Sequence, residues 1–445
     1  MPTSDKTFAA LTDAFQRPLP PMVTHSGRVL SCAGQTVEVA GLCGRAGIGA
    51  SLMIEGGRRG DVIADDGEKL TVALYGSGQG LTSGMRADLV PDTALQPGPD
   101  WLGKVLDYDG RDAFGNRPRP GPIAADLNAP PPAAGHRRTL GGRLCTGYGA
   151  LDTFLPLCRG QRIGLFAGSG VGKTSLLGGL ARSTGRADQD GSADVTVIAL
   201  IGERGREVRS FVQDVVGPEA MRNTVVFAAT SDQPPAAKLR AARLAMATAE
   251  SFRDQGRHVL FLFDSLTRFA QAHREVALSV GETPALRAYP PSTFPALAGL
   301  CERAGPGPEG TTGDITAVFS VLVQGSDMEE PVADTVRGIL DGHVIMDRAI
   351  AEAGRYPAID IGRSVSRSLP DAATEEENAV LSRGRGLIRA YEDGRLMVQS
   401  GLYVAGTDPV LDKAVQCHAK IETFLSESGR PSVAESFEAL ETAIT

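Results

Sequence analysis

The segment Ala167-Gly168-Ser169-Gly170-Val171-Gly172-Lys173-Thr174 follows the apolar run Ile163 to Phe166 and precedes a helical pattern opened by Ser175-Leu176-Leu177. A strand, a glycine-rich loop and a helix in that order constrain the fold more than any other stretch of the chain. The glycines let successive backbone N–H groups converge on phosphate, and the helix turns its positive end toward the same charge. In such a loop Lys173 reaches the β and γ phosphates and the Thr174 hydroxyl coordinates Mg²⁺. The pattern predicts a nucleoside triphosphate site built from Gly168, Ser169, Gly170, Val171, Gly172, Lys173, Thr174 and Ser175, on the edge of an α/β sheet.

The rest of the chain supplies that sheet. From Thr139 onward apolar strands alternate with helical stretches, at Ile163 to Phe166, Val195 to Ile201, Thr224 to Ala229, Val259 to Asp264 and Ile315 to Val323. Alternation of this kind predicts a mainly parallel sheet covered by helices. Before it, Met22 to Thr93 carries short β-type runs such as Thr36 to Val39, Leu52 to Ile54 and Leu70 to Leu74 between glycine-rich turns, which read as a small β-barrel. The Gly-, Pro- and Asp-rich stretch from Asp107 to Arg138 reads as a long connection extended over the surface of the next domain. After Asp371 the strand signal ends. Helices are predicted over Glu375 to Tyr391 and Pro409 to Leu425, the second with Asp408 as its cap. The 445 residues thus divide into an N-terminal amphipathic segment (1–21), a β-barrel domain (22–95), an α/β nucleotide-binding domain (96–370) and a C-terminal helical domain (371–445).

Bulk properties exclude several classes. A net charge of −8, from 45 basic and 53 acidic residues, gives no general attraction for nucleic acid or an anionic membrane. The barrel segment holds six Lys or Arg against eight Asp or Glu and one aromatic residue, Tyr75, so it lacks the stacking platform of a nucleic-acid translocase. Six cysteines without a CxxC pair suggest buried thiols in a reducing cytosol. The start lacks the apolar core of a signal peptide and no stretch of about 20 apolar residues follows, so a cytoplasmic location is expected unless a partner tethers the chain. Phe8, Leu11 and Phe15 lie at helical spacing before Pro18, an amphipathic stripe that either packs locally or serves as a docking handle.

Two further segments carry chemistry. Val259 to Asp264 is an apolar strand ending in a carboxylate, where Asp264 either holds Mg²⁺ or caps the next helix. Ile201-Gly202-Glu203-Arg204-Gly205-Arg206-Glu207 follows another buried strand and brings Glu203 to the same sheet edge, where it can orient and polarise an attacking water. Arg204 is a catalytic candidate that can also form an ion pair, while Arg206 and Glu207 read as structural ion pairs. Arg268 either reaches the γ phosphate or pairs with a local acid.

Together the segments Gly160 through the loop, Gly202 to Glu207, Asp264-Ser265-Leu266-Thr267-Arg268-Phe269-Ala270 and Arg355-Tyr356-Pro357-Ala358-Ile359-Asp360 resemble the type III export ATPases, over roughly residues 22 to 425. These power flagellar and virulence secretion and are related to the catalytic β subunit of rotary ATP synthases. Phe166 to Gly172 and Arg274 to Leu278 look closest to the flagellar branch. The resemblance implies a RecA-like ATPase core, an N-terminal β-barrel, a C-terminal helical domain and a homohexamer with ATP and Mg²⁺. It implies partners as well: a stator-like regulatory protein, a central stalk-like protein, the export gate and chaperone–substrate complexes, with peripheral membrane association through them. By position Tyr356 matches the aromatic residue that stacks on adenine, although a surface turn is an equal reading of the residue itself. Arg367 matches the arginine finger that a neighbouring subunit inserts. A chain with both Glu203 and Arg367 is expected to form a self-sufficient ring, whereas a regulatory subunit would lack the carboxylate. Departures from the family lie in the longer Arg186 to Asp194 loop and the proline-rich linker near Pro130.

Overall fold

The computed structural model describes residues 24–90, 95–168, 170–183, 192–310, 312–323 and 327–445. The Phe8, Leu11 and Phe15 stripe, Ser169 and most of the loop from Arg186 to Asp194 lie outside these residues. Two compact units divide the chain between Thr93 and Ala94.

The first unit is a closed antiparallel barrel of β1 (Ser26–Ala33), β2 (Thr36–Ala40), β3 (Ser51–Ile54), β4 (Arg58–Asp65), β5 (Lys69–Leu74) and β6 (Arg86–Leu89), in the order β1-β2-β5-β4-β3-β6. Alternation decides which side is filled. In β2 Val37 and Val39 point inward and pack with Leu52, Ile54, Leu70 and Val72, while Glu38 faces out to bind Lys69. Closure leaves no edge strand to aggregate.

The second unit is built on a sheet with the order β15-β14-β8-β13-β11-β9-β10-β7, in which β12 (Gly305–Pro306) pairs with β13. The strands are β7 (Val105–Leu106), β8 (Arg162–Ala167), β9 (Val195–Glu203), β10 (Thr224–Thr230), β11 (His258–Asp264), β13 (Asp314–Leu322), β14 (Gly342–Met346) and β15 (Ile359–Ser366). From β14 to β7 every neighbour along this path is parallel, and β15 closes the end antiparallel. Central strands such as β11 (HVLFLFD) are buried at every position, as a sheet covered on both faces requires. On one face lie α1 (Lys173–Ser183) and the C-terminal helices. On the other are α2 (Pro235–Asp254), α3 (Leu266–Ser279), α4 (Thr293–Glu302) and α5 (Pro331–Ile339).

The five strands expected of this sheet are all present, to within two residues at each end. The linker is extended over the sheet unit and pinned to it. Arg303 is buried, pairs with Glu250, and donates from Nη1 to the Leu127 carbonyl (2.7 Å) and from Nη2 to that of Asp126 (3.1 Å). Arg138 in turn donates to Asp314 (2.6 Å).

The C-terminal region is α6 (Glu375–Gln399), α7 (Pro409–Ser426) and α8 (Val433–Ile444). Thr374 and Glu377 close a capping box on α6, and Asp408 caps α7 by accepting from Val410 and Leu411 N–H. Phe424, Ile421 and Leu440 share one apolar cluster with Phe154, Ile163 and Leu165, so these helices are packed against the sheet unit. Asp152 is buried, with its carboxyl pushed up by desolvation, and it accepts hydrogen bonds from Thr146 and from Ser436 of α8.

Candidate active site

The loop after β8 turns sharply at Gly170 (φ 80°) and Gly172 (φ 88°), conformations that side chains with a Cβ rarely adopt, and α1 starts at Lys173, two residues earlier than the sequence pattern suggested. Thr174 and Ser175 are exposed in the first turn, where the helix has free N–H groups. Lys173 points back across the sheet edge. Its Nζ donates to Asp264 Oδ1 at 2.5 Å, with the two side chains only 11% and 5% exposed.

Asp264 closes β11, two strands from β8. The strand between them, β13, contributes Ser320, whose buried hydroxyl donates to the same Oδ1 at 2.6 Å. The cap of α3 is Ser265, which accepts from the Arg268 N–H, so Asp264 is free of that duty and faces the loop. Sequence reading missed Ser320. The available signal was a hydroxyl near the carboxyl end of the buried β13, beyond the other one at Thr316, because a buried polar group needs a partner.

Glu203 ends β9, the strand next to β11. Burial, then the nearby Asp264 charge, raise its carboxyl to about 7, while Lys173 opposes the shift. Gly202 makes this approach possible. It lies at φ 77°, and a Cβ there would meet Arg268 Cβ and Cγ at 3.0 Å. Arg268 is thereby laid along Gly202 beside Glu203, and its Nη1 donates to Gln271 rather than to an acid. Arg204 turns outward and pairs with Glu207 at 2.8 Å.

Tyr356 lies half-exposed over the loop. Its Cδ1 and Cε1 are 3.1 and 3.3 Å from where a Cβ on Gly172 would stand. Arg367 is elsewhere. Its N–H donates to the Asp341 carbonyl (3.0 Å), and Asp341 N–H donates to the carbonyl of Arg162, the first residue of β8. The loop leaves the other end of that strand. Five steps of about 3.3 Å put Arg367 roughly 17 Å from the start of the loop in its own chain, beyond the reach of an arginine side chain.

The described residues therefore bring together Lys173, Thr174, Glu203, Asp264, Arg268 and Tyr356 at the carboxyl ends of parallel strands, where open α/β sheets bind ligands. This is the layout of a RecA-like P-loop nucleotide hydrolase, and comparison with known proteins narrows the class. Residues 147–366 match the model of the ATP synthase alpha/beta family, nucleotide-binding domain, and residues 373–442 that of the T3SS EscN ATPase C-terminal domain. The flagellum-specific ATP synthase of Caulobacter vibrioides is 42% identical over 91% of this chain and 92% of its own. The assembled ATPase EscN of the enteropathogenic E. coli type III secretion system superposes with a TM-score of 0.86 at 35% identity, covering 94% of this chain and all of that one. EscN in complex with its central stalk EscO gives 0.84 at 36% identity, with the same coverage. The chain belongs to the flagellar and type III secretion ATPases, and it is a nucleotide-binding ATPase.

Proposed function

We propose that this chain is a flagellar member of the family, hydrolysing ATP to drive export of flagellar proteins through a type III apparatus. The observation that carries the catalytic reading is the Lys173, Asp264 and Glu203 cluster, in which a carboxyl held near pKa 7 faces the phosphate loop. A group with that pKa is poised to take a proton from water at neutral pH. In this reading backbone N–H groups of residues 168–175 and the Lys173 ammonium hold the phosphates, and Glu203 orients the attacking water. Arg268, beside Glu203, is the nearer cation for developing charge, and Arg204, paired outward with Glu207, would serve it only by leaving that pair. Tyr356 holds the base, and Arg367 serves the site of a neighbouring copy.

The donors fit Mg²⁺. The Thr174 hydroxyl and the Asp264 carboxylate are hard oxygen ligands, and the mutual repulsion of Glu203 and Asp264 is what a divalent cation relieves. Bound with the nucleotide, the ion would neutralise phosphate charge. The test of the site is Glu203→Gln. It should retain nucleotide affinity and lose hydrolysis by on the order of 10³. Equal loss of binding and turnover would instead make Glu203 structural.

The higher identity to the flagellum-specific relative supports the flagellar assignment. Deleting the gene should remove flagella and motility; loss of virulence secretion with motility intact would favour the virulence-type reading, to which the likeness to EscN also points. Assembly as a homohexamer around a stalk-like partner is supported by the assembled and stalk-bound forms of EscN. Among the described residues no helix is long and apolar enough to cross a membrane. Attachment at the cytoplasmic membrane would then come through the stator-like protein, the gate and chaperone–substrate complexes. The division at residues 21, 95 and 370 is part of the same reading.

A further inference from the structure

Arg355 opens the turn that carries Tyr356, and its guanidinium is tied in two directions. Nη2 donates to the Ile359 carbonyl at 3.0 Å, four residues on, and so spans the Tyr356-Pro357-Ala358 turn. Nε stands 2.8 Å from Glu422 Oε2 on α7, an ion pair whose side chains are 10% and 40% exposed. This contact is a charge pairing and not an aligned hydrogen bond, and Nη1 beside it is buried with no hydrogen-bond partner. The Arg355 N–H is fixed to the Ile350 carbonyl at 3.2 Å. One helical turn before Glu422, His418 stacks on Tyr391 of α6 with ring centroids 3.5 Å apart and planes 11° from parallel. Glu422 is thus held on a helix pair joined by its own ring contact.

A buried guanidinium keeps its place only with a counter-charge. Asp360 and Glu392 add weaker negative potential, and Glu422 supplies the strongest. With that charge gone, the guanidinium gains by turning toward water and releasing the Ile359 carbonyl. The turn then loses the bond that spans it, and the Tyr356 ring loses its seat against Gly172.

We propose that Glu422 is a positioning residue for the nucleotide base: through Arg355 it fixes the Tyr356 turn, so that a helix of the C-terminal region sets how tightly the base is held. The proposal rests on Tyr356 being the base-stacking residue. It makes Glu422 act on the base and leave the phosphates alone.

The experiment is calorimetric titration of the full chain with ADP and, separately, with pyrophosphate, both with Mg²⁺. Pyrophosphate lacks the base. Tyr356→Ala should weaken ADP about tenfold, the worth of one base–aromatic stack. Glu422→Gln should weaken it roughly threefold to tenfold, Glu422→Asp should restore most of the loss, and pyrophosphate affinity should stay within about twofold throughout. In the double variant Tyr356→Ala with Glu422→Gln, ADP should bind no more weakly than to Tyr356→Ala alone, because both changes remove one contact. Unchanged ADP affinity in Glu422→Gln, additive losses in the double variant, or an equal loss for pyrophosphate would each overturn the proposal. If Glu422→Gln weakens ADP while Tyr356→Ala does not, the base-stacking reading itself fails and the coupling with it. Arg355→Gln, which removes the other partner, should repeat the Glu422→Gln pattern; normal ADP affinity in that variant would equally count against it.

Discussion

The two ends of one parallel sheet are built on opposite principles. At the carboxyl ends of β8, β11 and β9, side chains of opposite and like charge are drawn together out of water, with Lys173 on Asp264, Ser320 on Asp264, and Glu203 close enough to feel the Asp264 charge. At the amino end, Arg367 is exposed, with its backbone tied to Asp341 and its side chain free of ion pairs among the described residues. The first arrangement costs desolvation and keeps its form only because each group has a partner within the chain. The second is solvated, and its side chain is free to meet a partner from outside. The difference teaches that one chain holds a pocket at one end and a loose cation at the other, and the proposed role of Arg367 at the site of a neighbouring copy rests on that separation.

The largest expected effect tests that division directly. Arg367→Ala should cut turnover by on the order of 10³ or more while leaving the melting temperature and nucleotide affinity of the chain unchanged. Glu203→Gln should be equally inactive. Mixed in one ring, some interfaces would join an intact Glu203 pocket to an intact Arg367, and part of the activity should return. No recovery in rings shown by cross-linking to be mixed would break the comparison and make Arg367 a structural residue.

Lys173→Ala should lose turnover to a similar degree, but it should also differ from Arg367→Ala in stability. Its removal leaves Asp264, with a side chain 5% exposed, facing only Ser320 and the Glu203 charge. A loss of about 1–3 kcal/mol in urea unfolding without nucleotide is expected, since a buried charge without its partner is destabilising. Equal stability of the two alanine variants would mean that the carboxyl end is as solvated as the amino end.

A third effect is a pH limb. With its carboxyl near 7, Glu203 is largely protonated in the nucleotide-free protein at pH 6 and ionised at pH 8. As a base it works ionised, so kcat/KM should rise about tenfold per pH unit below 7 and level off above it. The limb should persist in the residual activity of Arg367→Ala, which acts from the far end of the sheet. A flat profile between pH 6 and 8 would remove Glu203 from the role of base.

The two ends were unequally legible in the sequence. The carboxyl end announced itself because its chemistry is local: glycines at phosphate-loop spacing between a strand and a helix, a strand ending in Asp264, and another ending in Gly202-Glu203. The five strands behind them were readable because buried parallel strands are continuous apolar runs. Other parts lacked such a signal. β14 is only five residues long, and β15, with eight, mixes exposed and buried residues with glycine and arginine, so no long apolar run marked them. The cap of α3 fell to Ser265 and not to Asp264, because capping depends on backbone geometry one residue further on. α6 runs eight residues beyond the expected Tyr391, straight through the stop signal at Gly394, where the missing side chain lets α7 pack close: a Cβ there would meet Leu411 Cδ1 at 2.5 Å. Contacts such as Arg355 with Glu422, 67 positions apart in sequence, arise only from folding. The role of Arg367 rests on resemblance; what the sheet adds is that the residue lies at the end of β8 opposite the loop.

The smallest effect reverses the usual direction of a mutation. Glu203 is raised from 4.5 to about 7, so the folded protein binds an extra proton that the unfolded chain releases between those values. Stability therefore falls as pH rises through this window, and the cost is complete above 7. Glu203→Gln has no such proton to lose. Relative to the parent it should be about 1 kcal/mol more stable at pH 8, a figure reduced for solvent screening in a cleft that is partly open, and no different near pH 4.5. Thermal melts at the two pH values without nucleotide measure the difference. A variant less stable than the parent at pH 8 would show that the Glu203 carboxylate gains more from Lys173 than it loses to Asp264 and burial, and that the carboxyl end of the sheet is held together by the charge that we assign to catalysis.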